Sequence, residues 1–353
     1  MASQGIQASA PRQEPPASDD GREPGSSAGS PHGKYPVTAW SQQRFYRRFV
    51  KVALAIALTL GFTTGAGMLL LPAIGVDRGA WWLTHAQSHG AAQLFGWAGL
   101  FTMGVAFHVV PRFRNGDLPF PWPQRISLWA VTAGIVLRFA GQSLYDFAVG
   151  PPLLAASGLA VAGGVAAFAY AMTHALRSGV SPHTRVELWI WAGSLWALAA
   201  SLLHLAGVWN MAESGSMIVA PMWNNAFITA VLLGFIGNFI FGVSTRAVAS
   251  FLNLKPGLSV LNYAAFAAIN VGLLAQVTGG LYGWGASWAG MATVLQAGGI
   301  IVFVMGLRVL EPPAKPQKHL PGTYGRYEWL IRGGYAWLVL AALFMLARGL
   351  EDM

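Results

Sequence analysis

The chain has no cysteine and little charge: only 10% of its 353 residues are Asp, Glu, Lys or Arg. The absence of cysteine excludes disulfide bonds, thiolate metal ligands, cysteine nucleophiles and covalent c-type haem attachment. A metal would therefore need His, Met or oxygen ligands. The scarcity of charge, together with 54% apolar residues, 43 Gly and 15 Trp, argues against two ordinary soluble domains and is typical of a polytopic membrane protein.

Several motifs of enzymes and carriers are also missing. The sequence contains no Gly-rich phosphate loop, no His-Glu-x-x-His and no nucleophile elbow, and its apolar segments hold scarcely any carboxylate. These absences disfavour a hydrolase and an ion-coupled transporter.

Apolar runs set the predicted architecture. Residues 1–40 are rich in Pro, Ser, Gly, Gln and Ala, a composition that predicts a disordered cytoplasmic tail. Beyond it, runs of about 20 apolar residues recur, the length that crosses about 30 Å of hydrocarbon. We therefore predict an all-α, polytopic membrane helical bundle of nine transmembrane helices. The predicted spans cover 49–72, 83–110, 126–148, 152–176, 187–209, 220–244, 260–281, 289–310 and 330–349.

The basic residues predict the orientation of the bundle. Lys and Arg fall on alternate connections, whereas the opposite connections hold only Arg78 and Arg348. Because positive loops stay in the cytoplasm, we expect a bacterial-type cytoplasmic (inner) membrane protein with a cytoplasmic N-terminus and a C-terminus outside. The net charge of +9 is then explained by topology and the lipid bilayer, and no nucleic-acid partner is predicted.

Two segments of the sequence resemble each other at an offset of 138 residues. Residues 96–113 and 234–251 share Gly, Gly, Phe, Gly, Val, Val and Phe in register. This similarity predicts a parallel internal repeat of four helices plus one. The glycines indicate faces where helix backbones or a flat ligand approach closely. The expected divisions are the tail 1–40, a first repeat 41–186, a second repeat 187–315 and a C-terminal helix 316–353.

Histidines lie in apolar segments at two predicted depths. His85, His89 and His204 fall near the outer surface, and His108 and His174 near the inner surface. His89 and His108 are separated by about 28 Å along one helix, so they cannot share a metal. In the second repeat the positions of His85, His89 and His108 hold other residues, which assigns the histidine-dependent role to one half of the chain.

His85 and His89 form an i, i+4 pair on one helix face. With His204 at a similar depth, they are candidate metal ligands, either for one ion or for haem iron. His108 is a candidate for a second site or a structural role. The alternative is that each ring only hydrogen-bonds a neighbouring carbonyl or stabilises helix packing.

Arg138 lies in the middle of the third predicted span and needs an acceptor there. A haem propionate or another anionic group would supply one, and backbone carbonyls or Asp146 are the alternatives. Arg112 ends its helix near the inner surface, where it either extends to the interface or binds a propionate.

The second span resembles the NnrS family, which are polytopic haem- and copper-containing membrane proteins linked to nitric oxide metabolism. More distantly it resembles the catalytic subunits of haem–copper oxidases. The resemblance rests on His89-Gly-Ala-Ala-Gln-Leu-Phe-Gly-Trp, Met103-Gly and His108-Val-Val-Pro-Arg, which are similar to the family's His-Ala-His-Glu-Met-Leu-Phe-Gly-Phe pattern and its proline-containing helix end. His89 takes the place of the first His, whereas the second His and the Glu correspond to Ala91 and Ala92.

The resemblance implies haem b with His89 as an axial ligand and copper as a further metal, with His204 or His85 as the opposite haem ligand or as a copper ligand. It also implies a role in the nitric oxide response or in respiratory electron transfer. The partner would be a diatomic gas, a quinol or a cytochrome.

Two other functions stay open. A quinol- or cytochrome-linked reductase subunit would carry two haems, one at each depth. A cofactor-free transporter would use the histidines for packing or for handling protons.

Overall fold

The computed structural model describes residues 44–76, 79–115, 118, 120–181, 184–314 and 327–353. All of them belong to one compact unit, Thr38–Met353. These residues form helices joined by short connections, with no strand among them. The predicted tail, Arg78 and the basic residues between 315 and 326 lie outside the described residues.

Nine long helices form the described bundle, which confirms the prediction of an all-helical membrane-type fold. Eight are long and apolar enough to cross a membrane. The exception, α3, has the length but carries Gln124, Arg125, Arg138 and Gln142 among its apolar residues. The helices are α1 Tyr46–Ala73, α2 Trp81–Phe113, α3 Trp122–Ser143, α4 Gly150–Ser178, α5 Arg185–Ser214, α6 Pro221–Phe251, α7 Ser259–Tyr282, α8 Ala286–Leu307 and α9 Tyr327–Asp352.

The third helix ends earlier than its apolar run predicts. The predicted span reached residue 148, but α3 ends at Ser143 because Leu144 leaves the helical region with φ −105° and ψ 24°. The next helix then starts with Pro151 and Pro152 in its first turn, where proline has no hydrogen bond to lose. Residues 144–149 form the connection, although they are largely apolar.

Four π-helical segments occur in the described helices, one in α1, one in α2 and two in α6, and the α2 segment packs against the first α6 segment. These two segments cover Ala92–Gly99 and Ala230–Gly237. The ring of Phe95 lies 6.2 Å from that of Phe235 and stacks on Phe227 at 5.7 Å. π-Helical turns are rare and occur frequently at functional sites. Their pairing places an unusual backbone geometry at the centre of the bundle.

Arg114 is a buried residue that ties two connections together at one end of the bundle. Its guanidinium donates to the carbonyls of Leu176, Gly179 and Ser181, and lies 3.5 Å from the Glu187 carboxylate. Glu187 also closes the N-terminal cap of α5 by accepting from the backbone and hydroxyl of Thr184. The α2–α3 and α4–α5 connections are therefore held in one hydrogen-bonded network.

We predict that Arg114→Ala lowers the free energy of unfolding by about 3–5 kcal/mol, because it leaves the buried Glu187 carboxylate without its ion pair. The measurement is reversible unfolding of the detergent-solubilised protein. Arg348→Ala, which removes the surface ion pairs of Arg348 with Glu351 and Asp352, is the control and should cost less than about 1 kcal/mol. Equal losses in the two variants would show that the network does not hold the connections.

Candidate functional site

His85 is buried between its own helix and α3. Its ring stacks on Trp81 at 3.4 Å, and its Nδ1 lies 3.0 Å from the Trp81 carbonyl oxygen. Because a carbonyl only accepts, Nδ1 carries the proton and Nε2 has the lone pair. Nε2 lies 3.2 Å from the hydroxyl oxygen of Ser143, which donates to it. The structure thus gives His85 a partner at each nitrogen.

His89 faces α1 and not the bundle centre. Its Nδ1 lies 2.9 Å from the carbonyl oxygen of Gly61, so Nδ1 again carries the proton. Its Nε2 keeps a lone pair that accepts no hydrogen bond from the described residues. A Cβ on Gly65 would lie 2.9 Å from Cε1 of the ring, so the glycine is what admits the imidazole.

Gln93 lies one turn beyond His89 and packs against the same face of α1. A Cβ on Gly61 would lie 2.6 Å from its Nε2, and its Oε1 is buried without a partner. Sequence reasoning did not single out this residue. The signal that points to it is the Gly61-x-x-x-Gly65 spacing, which marks a face of α1 open to close approach.

Arg138 forms a second polar group inside the bundle. Its Nη1 donates to Nδ1 of His204 over 2.8 Å, and its Nε donates to Oε1 of Gln142 over 3.2 Å. Its guanidinium carbon lies 5.8 Å from the centre of the Phe227 ring. Arg138 forms no ion pair with a described carboxylate, and Asp146, an expected alternative partner, is exposed in the α3–α4 connection. A neutral imidazole and an amide are its partners.

Three donors of this group have no acceptor among the described residues. Because arginine only donates, Nδ1 of His204 accepts, and the ring proton lies on Nε2. That Nε2–H, Nη2 of Arg138 and Nε2 of Gln142 are all buried without a partner. Arg138, Gln142 and His204 are each 2% exposed. We call these three residues the donor cluster.

His108 and Arg112 lie far along α2 from His89 and contact each other. Nη1 of Arg112 donates to Nδ1 of His108 over 3.0 Å, and the ring of Tyr46 lies 4.2 Å from the imidazole. This pairing places the Nε2 proton on His108, as on His204. His174 is near Ser178, whose hydroxyl lies 3.3 Å from its Nδ1.

The structure brings some of the predicted residues together. His85 contacts Phe139 and Ser143, and His204 contacts Arg138, so both lie against the last turns of α3. His89 points instead to α1. Within the described ranges, no group of three or more His, Asp or Glu side chains is arranged to hold a metal ion.

Comparisons with protein-family models, curated proteins and solved structures found no match to this chain.

We predict opposite effects for two neighbouring glycines of α1. Gly67→Ala should raise the free energy of unfolding by about 0.5–1 kcal/mol, because alanine favours a helix and a Cβ there meets nothing within 4 Å. Gly65→Ala should lower it, because the Cβ displaces the His89 ring. Unfolding of both variants in detergent measures the difference. A gain of stability in Gly65→Ala would contradict the described packing of His89.

Proposed function

We propose that the chain is an integral membrane protein that binds haem b, with His89 as an axial ligand. The supporting observation is the hydrogen bond from Nδ1 of His89 to the carbonyl of Gly61. Ligating histidines usually donate their other ring proton to a carbonyl or carboxylate, which fixes the tautomer and the ring orientation. Nε2 of His89 is the lone-pair nitrogen that such a ligand needs.

His85 and His204, the other candidate ligands, differ in whether Nε2 is available to iron. His85 has the same tautomer as His89, although its Nε2 accepts a hydrogen bond from Ser143. His204 has its proton on Nε2 and would have to leave Arg138 or turn its ring before binding iron. His85 contacts α3 whereas His89 contacts α1, so the geometry supports neither residue as a second ligand to the same iron. Because the described residues include no group of three ligands that supports copper, we limit the proposal to haem.

Arg138 is suited to bind a propionate, the acidic side chain of haem. Its Nη2 is a buried donor without an acceptor, and a propionate carboxylate would provide one. Arg112 is less suited, because it is already bonded to His108. The residues of the chain would thus hold the iron and one acidic side chain of the porphyrin.

Bound haem b would supply either a one-electron redox centre or, with an open iron position, a site for a diatomic gas. The nitric oxide role rests only on the resemblance to the NnrS family. Quinol or cytochrome partners belong to the alternative in which two haems carry electrons across the membrane.

We also propose that α1–α4 and α5–α8 are equivalent halves of a parallel repeat, with α9 added. Two of the four π-helical segments among the described residues, Ala92–Gly99 and Ala230–Gly237, lie 138 residues apart, which matches the sequence offset. Gly96 of α2 contacts Ile56 of α1, and the corresponding Gly234 of α6 contacts Trp196 of α5. These paired close contacts support the repeat.

The basic residues support a cytoplasmic position for one end of the bundle, in a bacterial-type inner membrane. Arg114, Arg177, Arg185 and Arg246 lie at or near the connections at this end. The N-terminus of α1 is at the same end. With nine spans the C-terminus would then lie outside.

The reduced-minus-oxidised spectrum of the purified protein, with haem quantified per chain, tests this function. We expect one haem b in the wild type and loss of most of it in His89→Ala, since the variant removes the iron ligand. His174→Ala is the control and should keep its haem, because His174 contacts Ser178 at the other end of the bundle.

Three results would contradict the proposal in different ways. Full haem in His89→Ala would refute the ligand. Two haems per chain would favour the electron-carrying subunit. A colourless protein, produced with an adequate haem supply, would favour the cofactor-free transporter.

A further inference from the structure

The donor cluster points to a ligand that is distinct from the iron. We infer that Arg138, Gln142 and His204 form a binding site for a small oxyanion, such as a carboxylate, nitrite or nitrate. This inference stands whether or not the chain binds haem.

The hydrogen-bonding capacity of the donor cluster is unbalanced. Its two internal hydrogen bonds use one acceptor each on Gln142 and His204. The atoms left over are Nη2 of Arg138, Nε2 of Gln142 and the Nε2–H of His204, and all three are donors. Buried donors are costly to leave unpaired, so the cluster requires acceptor oxygens from elsewhere.

The charge of the donor cluster makes that acceptor an anion. The guanidinium carries one positive charge, and the imidazole that it contacts is neutral because its Nδ1 accepts. The Phe227 ring packs 5.4 Å from His204 and 5.8 Å from Arg138, which adds an apolar wall. A buried charge of this kind is stable only with a counter-charge. A metal cation is excluded as the ligand, since each of the three unpartnered nitrogens carries a hydrogen and has no lone pair to donate.

Arg114 shows how this chain satisfies an arginine that has only a structural role. Arg114 is also buried, but it has three carbonyl acceptors and the Glu187 carboxylate. Arg138 has no carboxylate partner among the described residues, and its Nη2 has no acceptor there. The two arginines are similarly buried, but only Arg138 keeps an unpartnered nitrogen, and this contrast supports a ligand site at the donor cluster.

The anionic oxygens have two sources, a propionate of bound haem or a free ion. Both would accept from the same guanidinium and imidazole donors. Protein made in a haem-deficient host separates them, because only the free ion or an added substitute is then available.

The experiment is a thermal melt of detergent-solubilised protein against sodium acetate, nitrite or nitrate, with chloride holding the ionic strength constant. We expect a saturable rise of Tm in haem-free wild type. Arg138→Gln should weaken the response at least about tenfold, the effect of losing one charge-assisted hydrogen bond. Arg138→Lys keeps the charge and should keep part of the response. Arg246→Gln, whose parent residue donates to the Phe113 carbonyl, is the control with the same change of charge.

The outcomes separate the sources and test the inference. A response in both haem-containing and haem-free protein assigns the site to a free oxyanion, whereas a response in haem-free protein alone assigns it to a propionate. No response in haem-free wild type, or an equal response in Arg138→Gln, overturns the inference and leaves the donors to water. Haem content, read from the spectrum, tests the proposed haem function separately.

Discussion

The hydrogen bond from Arg138 to His204 determines which polar atoms inside the bundle are donors and which are acceptors. A membrane-embedded polar group must find its partner within the protein, because hydrocarbon supplies none. Arginine has no acceptor, so this one contact fixes the tautomer of His204 and turns Nε2 into a donor. The same rule applied to the carbonyl of Gly61 gives His89 the opposite tautomer. His89 and His204, which were both expected to ligate a metal, therefore present different ring nitrogens as lone-pair donors.

Much of the fold could be predicted from hydropathy, since segment length is set by membrane thickness. The nine helices follow the nine apolar runs, and the largest differences are at two ends: α3 ends at Ser143 and not at 148, and α6 continues to Phe251 and not to 244. Residues 144–149 are largely apolar, so composition alone could not show that the chain turns after Ser143. Local backbone geometry decided that boundary.

The candidate site was less predictable, because sequence spacing gives the depth of a residue but not the rotation of its helix. Spacing placed His85 and His89 on one face of α2, yet their rings contact α3 and α1 respectively. The need of Arg138 for a partner was evident from its position in an apolar run. Its pairing with His204 could not be predicted, because the two residues lie 66 positions apart in the sequence, on different helices. The close packing of Gln93 depends on Gly61 and that of His89 on Gly65, and the significance of both glycines appears only when α1 packs on α2.

His89 and His204 carry their ring protons on different nitrogens. Solid-state ¹⁵N NMR of histidine-labelled protein, with signals assigned by His89→Ala and His204→Phe, measures this directly. We expect a protonated Nδ1 with an unprotonated Nε2 at His89, and the reverse at His204. A protonated Nδ1 at His204, or a common tautomer for both rings, would contradict it.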